Sequence, residues 1–263
     1  MSLEHLSHLK SQSYLASPID SIGFESPNTK STTIILINYD SVELLLRFGI
    51  RVEGEFGENN LVVLDVLAPK INLKLKLSGG RNNVVVLEGK CILNNSSFNI
   101  EGSDHLIFIC KSQGNSCLNV TMRREGGFFY WGKSCTSNAT NCLIHGPVLL
   151  CVGEDCMFAV NTTLRTFDSH AIVDLIEATQ INLPKCLTIG RHVWFGQDSL
   201  IMPATSMIHE GSIIGARSIV TKTVLKNSLV VGMPGKSVKE NVSWTRADFP
   251  DDCEIEKLIS LLR

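Results

Sequence analysis

The stretch from Ile189 to Ile219, IGRHVWFGQDSLIMPATSMIHEGSIIGARSI, can be written in sixes. The hexads are IGRHVW, FGQDSL and IMPATS, followed after the single extra residue Met207 by IHEGSI and IGARSI. An aliphatic residue or Phe opens each hexad, and glycine follows it at 190, 196 and 215. Six residues make one short strand plus a corner: the large apolar residue points inward, and the small one sits where the backbone bends tightly. Three such units close one triangular coil, and a coil cannot bury its edges alone, so coils stack in parallel register. The pattern predicts a mainly β chain folded as a parallel β-helix, with Met207 as an extra residue between coils.

Upstream, the chain from TTIILINY onward is a series of short β-branched runs: NLVVLDVLA, INLKLKL, NNVVVLEG, HLIFICK and GPVLLCVG. Each is bounded by Gly, Asn, Asp or Ser, with almost no helical periodicity between them. Residues 1–31 are polar and Ser-rich, a peripheral extension; residues 32–84 form an N-terminal β region that either begins the coil or caps it; residues 85–245 carry the β-helix. In DDCEIEKLISLLR, Ile255, Leu258, Ile259 and Leu262 share one helical face behind acidic residues suited to a helix start, so a short C-terminal α-helix is expected within 246–263.

The bulk numbers exclude several classes. With 263 residues, 44% hydrophobic and 19% charged, the chain can bury a sizeable core. A formal net charge of −2 gives no electrostatic footprint for nucleic acid. No apolar run is long enough for a membrane span, and the polar N-terminus MSLEHLSHLKSQS lacks a signal-peptide core, so a cytoplasmic location is expected. Nine cysteines without a CxxC pair read as free thiols, with no metal site. One formal motif misleads: GFFYWGKS, Gly127 to Ser134, fits G-x-x-x-x-G-K-S, but four aromatics fill its loop and poor helix sequence follows, so it is not read as a phosphate loop.

The hexads, with DSHAIVD, INLPKCLTIGRHVWFG, IIGARSIVTKTV and VGMPGKSVKENVSW, resemble the hexapeptide-repeat acyltransferases, most of all the bacterial O-acetyltransferases of capsule, lipopolysaccharide or polysialic acid sugars. The resemblance spans about residues 85–245. It implies a left-handed winding, a homotrimer with active sites between adjacent subunits, and acetyl-coenzyme A along the groove as cosubstrate, with a carbohydrate acceptor. Two positions depart from the family pattern: Met233-Pro234-Gly235-Lys236 replaces an Asn-Pro-Ala-Lys-like turn, and Arg217 replaces a glycine.

The chemistry expected of such an enzyme is removal of a proton from a sugar hydroxyl, for which a histidine near pH 7 is suited. His170 in TFDSHAIVD is the expected general base. The stretch reads as strand, because Ile172 and Val173 favour extended backbone, and residues i and i+2 of a strand share a side. Asp168 would thus flank His170 and steady its imidazolium, with Asp174 as the rival for that role or as an acceptor contact. The resemblance makes Trp194 a wall for the sugar ring; His192, two residues earlier, is a secondary candidate for an acceptor contact in the same groove. The resemblance also makes Gly196, Gly215 and Ala216 liners for the pantetheine arm, and Lys222 and Lys236 cations for the coenzyme phosphates. Two other readings remain open: a superfamily member acting on a small acceptor such as serine, a nucleotide-linked amino sugar or an antibiotic, and a β-helix scaffold without catalysis.

Overall fold

The computed structural model describes residues 32–65, 70–112 and 114–260; the polar extension 1–31 lies outside them. The fold is a parallel β-helix. One wall is a single sheet through Leu61–Asp65, Val84–Leu87, Leu106–Ile109, Phe128–Trp131, Leu149–Val152, Leu187–Ile189 and Met207–Ile208, each parallel to the next. Thr32–Leu36 joins its edge antiparallel to Leu61–Asp65.

The other two walls start as one long bent strand per coil. Ile50–Glu55, Lys70–Ser78, Ile92–Ile100, Ser116–Arg123 and Thr136–His145 pair in parallel, and register shifts between Leu93 and Ser97 and between Ser137 and Thr140 mark where they turn the corner. Beyond Thr136–His145 the two halves separate: Met157–Phe158, Trp194–Phe195 and Ile213–Ile214 stack on one wall, and Thr162–Arg165, Leu200–Ile201 and Ile219–Val220 on the other. Pairing thus runs without a break from residue 61 through residue 84 and into the hexads.

Coil length changes along the axis. Val84 pairs with Leu106 and Leu106 with Phe128, twenty-two residues apart each time. In the hexad region Trp194 pairs with Ile213 and Leu200 with Ile219, nineteen apart: three hexads plus Met207. The longer coils also bury both faces of the first wall. Val85, Leu87, Ile107, Ile109, Phe129 and Trp131 point into the central core. Val84, Val86, Leu106, Phe108, Phe128 and Tyr130 form a second apolar cluster on the opposite face. The GFFYWGKS stretch is therefore mostly a buried strand, not a loop before a helix.

Inside the coil, Trp131, Phe158 and Phe195 stack in succession, with ring centroids 4.7 Å and then 4.4 Å apart, the second pair nearly parallel at 6°. Each is fully buried, and such a side chain contributes about 1.5–3 kcal/mol through burial alone. A polar ladder closes one corner: Asn83 N–H donates to Asn60 Oδ1 (2.8 Å), His105 N–H to Asn83 Oδ1 (3.0 Å) and Gly127 N–H to His105 Nδ1 (2.9 Å). These side chains satisfy buried backbone donors from coil to coil. Burial is the main influence lowering the His105 pKa, in keeping with a neutral, accepting ring.

Glycine follows the hexad opener because the coils touch there. A Cβ on Gly196 would lie 2.5 Å from the Ala216 nitrogen, and one on Gly190 would lie 2.6 Å from the Glu210 nitrogen. The nine cysteines are all free, and burial pushes the Cys91 and Cys110 thiols up to about 12.

Two short helices lie among the described residues. Val42–Arg47 was not expected, since six residues carry too little periodicity to read; a 3-10 turn whose Asn38 and Ser41 cap each other precedes it. Asp252–Ser260 forms the C-terminal helix with Ile255, Leu258 and Ile259; Leu262 lies outside the described residues. Among the described residues no helix is long and apolar enough to cross a membrane.

Candidate functional site

Between Thr162–Arg165 and Leu187–Ile189 the chain leaves the coil, makes a hairpin, and re-enters. Its strands are Val173–Asp174 and Thr179–Gln180, paired antiparallel, and Lys185 N–H to Thr166 O (2.9 Å) closes the neck. His170 sits in a bend at the root of this hairpin, exposed, and no hydrogen bond to its imidazole is found among the described residues. The strand expected through TFDSHAIVD forms only at its end, Val173–Asp174: Ser169 has φ 73°, a left-handed conformation that breaks the two-residue alternation between Asp168 and His170.

Asp168 is nevertheless held beside His170, through Asn182. The Asn182 amide donates to Asp168 Oδ2 (3.0 Å) and to the His170 carbonyl (2.8 Å), and its Oδ1 accepts from Ile172 N–H (2.7 Å). Asn182 was missed in the sequence, because nothing at a distance of twelve to fourteen residues marks it. Asp174 is placed elsewhere, at the hairpin tip, where its Oδ1 accepts from Ile176 N–H (2.9 Å) and Glu177 N–H (3.0 Å). Those bonds, Glu177 first, lower its pKa. Its carboxylate caps the turn and makes no hydrogen bond to His170.

The hairpin root abuts a cationic face. Arg165 Nη2 lies 3.4 Å from Ser169 Oγ, Arg124 lies over the Phe167 ring at 5.5 Å, and Phe167 packs on His145 at 5.1 Å. Burial, then Arg123, Arg124 and Arg165, push the His145 pKa down.

His192 is a clasp rather than a free ring. Its Nδ1 lies 2.7 Å from Asp155 Oδ2 and its Nε2 lies 2.9 Å from the Trp244 carbonyl, while Trp244 Nε1 donates back to the His192 carbonyl at 2.9 Å. The imidazole stacks on the Trp244 indole at 4.3 Å and 6°. Arg246 completes the group, donating to Asp155 Oδ1 at 3.0 and 3.2 Å. Both ring nitrogens face acceptors, and a neutral imidazole has one N–H, so only the imidazolium satisfies both. Burial raises the Asp155 pKa, but the bonds from His192 and Arg246 outweigh it and the net shift is downward. His192 thus fastens the segment around Trp244 to the coil, leaving no ring nitrogen for an acceptor sugar; its partner Trp244 lies fifty-two residues on, out of reach of local reading. Trp194, 37% exposed, lies beside this clasp, its ring 6.3 Å from Trp244.

Gly196 meets Gly215 and Ala216 at one corner, and Ala216 is exposed there. Lys222 and Lys236 are exposed. Arg217, where the family has glycine, reaches Asp198 at 3.6 Å.

No protein-family model matches the chain. A polysialic acid O-acetyltransferase of Neisseria meningitidis is 27% identical over 198 residues, 75% of this chain and 91% of that protein. A solved structure of the polySia-specific acetyltransferase NeuO superposes with a TM-score of 0.71 at 24% identity, over 81% of this chain and 99% of that one. The chain is similar in sequence to polysialic acid O-acetyltransferases and shares its fold with them. The fold is the left-handed parallel β-helix. A second relative, the polysialic acid O-acetyltransferase of Escherichia coli O1:K1, is 34% identical over 97 residues, 37% of this chain and only 31% of its own length.

Proposed function

We propose that this chain transfers an acetyl group from acetyl-coenzyme A to a hydroxyl of a sugar in a bacterial surface polysaccharide, with His170 as general base. The observation that carries the reading is the likeness to a polysialic acid O-acetyltransferase over 91% of that relative's length. The exposed imidazole on the projecting hairpin supports the role of His170. In this reaction the imidazole takes the acceptor O–H proton as the oxygen attacks the thioester carbonyl. The C–S bond then breaks, and the coenzyme leaves as thiolate and takes up the proton. Such assistance is worth about 10²- to 10⁴-fold. Asp168, held beside His170 through Asn182, contributes negative charge near the imidazolium. Arg123, Arg124 and Arg165 favour an acceptor that carries carboxylates.

Trp194, half-exposed beside Trp244, is the proposed wall for the sugar ring. Gly196, Gly215 and Ala216 offer a close-packed corner to the pantetheine arm, and Lys222 and Lys236 offer cations to the phosphates. We further propose a homotrimer in the cytoplasm. Ile172, Val173, Leu175, Ile176, Ile181 and Leu183 expose 50–92% of their surface on one hairpin, an apolar patch that a neighbouring copy would cover.

The test is coenzyme A release from acetyl-coenzyme A with a panel of acidic and neutral polysaccharides, serine, an amino sugar nucleotide and chloramphenicol. Release with a polysaccharide, lost about 10²- to 10⁴-fold in His170→Ala, is expected. Release only with a small acceptor overturns the polysaccharide reading, and full activity in His170→Ala overturns the base.

A further inference from the structure

Resting on that reading of His170, we infer that Asn182 is the positioning residue for the base. The imidazole makes no hydrogen bond to a described residue, so its place depends on the backbone that carries it. That backbone is a tight bend with Ser169 at φ 73°, a conformation a non-glycine residue holds only when its surroundings enforce it. One side chain grips the bend on both sides of Ser169. The amide nitrogen of Asn182 reaches the His170 carbonyl at 2.8 Å and the Asp168 carboxylate at 3.0 Å, while its oxygen takes the Ile172 N–H at 2.7 Å.

The three bonds need two donors and one acceptor, which is what a primary amide carries. Leucine lacks all three, and aspartate keeps the acceptor while setting a carboxylate against the Asp168 carboxylate and the His170 carbonyl. Gln180 Nε2 lies 3.3 Å from Asn182 Oδ1 and steadies the amide from the second hairpin strand. Asn182 also ties the strand returning to the coil to the strand leaving it, so the base is fixed from the far side of the hairpin. In this arrangement Asp168 acts through the clamp, as the anchor of Asn182, with no hydrogen bond to the ring.

The test combines kinetics and amide hydrogen exchange on the full chain. Asn182→Ala is expected to lower kcat about 10- to 100-fold, the scale on which a small misplacement of a catalytic group is felt, with KM for acetyl-coenzyme A unchanged. Asn182→Asp is expected to lower kcat similarly while keeping the Ile172 amide protected. In Asn182→Ala that amide should exchange about tenfold faster or more, while the Lys185 amide, bonded to Thr166, keeps its rate. On a His170→Ala background, Asn182→Ala should leave the residual rate unchanged, because the residue acts only through the base. A kcat within twofold of the parent, an unchanged Ile172 exchange rate, or the same fold-loss on both backgrounds each overturns the inference. Failure of the base itself shows separately, as full activity in His170→Ala alone.

Discussion

The coil wall and the hairpin it carries are held by opposite means. The wall is fixed by repetition: Trp131, Phe158 and Phe195 stack inside it, Asn60, Asn83 and His105 pass hydrogen bonds from coil to coil, and glycine allows contact at Gly190 and Gly196. The hairpin between Thr166 and Lys185 has two short paired strands, one amide clamp and one carboxylate cap, with most of its apolar side chains facing outward. Stability is concentrated in the wall, and the candidate chemistry in the part that contributes least to it.

Substitutions should separate the two. Phe158→Ala removes the middle ring of the interior stack and is expected to cost about 3–5 kcal/mol in denaturant unfolding; a loss below 1 kcal/mol would mean that the stack does not carry the wall. His192→Ala breaks the clasp to Trp244 and should cost about 1.5–3 kcal/mol, since a charge-assisted pair is lost. Acid should loosen the same clasp. The Asp155 carboxyl is lowered in the folded chain, so its contribution is fully present above the ordinary aspartate range near pH 4 and disappears as the pH falls through the lowered value. Unfolding curves of wild type and Asp155→Asn between pH 7 and 3 should converge at the acid end; parallel curves would remove Asp155 from the account.

In the hairpin the expectations reverse. Leu175→Ser with Ile176→Ser should convert the proposed trimer to monomer in sedimentation, with the monomer's circular dichroism unchanged. Persistence of the assembly would place the contact elsewhere. Asp174→Ala should have the smallest effect of all, faster proteolysis confined to the hairpin tip with the global unfolding midpoint unmoved.

The same contrast explains what the sequence disclosed. Hexads are visible from Ile189 onward because every sixth residue enters the core, with Met207 the one spare residue between Ile189 and Ile219. Toward the N-terminus the coils lengthen to twenty-two residues, and strands such as Val84–Leu87 and Phe128–Trp131 are buried on both faces. In those strands neither the period of six nor the alternation of two survives, although runs such as NNVVVLEG, HLIFICK and GPVLLCVG still marked several of them. His170 stood out through DSH and its place before the hexads. Its neighbourhood did not, because Asn182 reaches it across a hairpin, and the strand geometry assumed for Asp168 fails at Ser169. His192 was assigned to the acceptor on proximity to Trp194, while Trp244, Asp155 and Arg246 that claim it are scattered along the chain.

The neck of the hairpin has an evolutionary consequence. Lys185 N–H meets Thr166 O at 2.9 Å, and the wall resumes at once with Leu150 opposite Leu187. The chain leaves and returns at nearly the same point, so lineages can lengthen, shorten or exchange this excursion at little more than the slow logarithmic entropy of a longer loop. A solenoid with such a port can diversify its acceptors by replacing one hairpin, while the coils inherited beneath it stay unchanged.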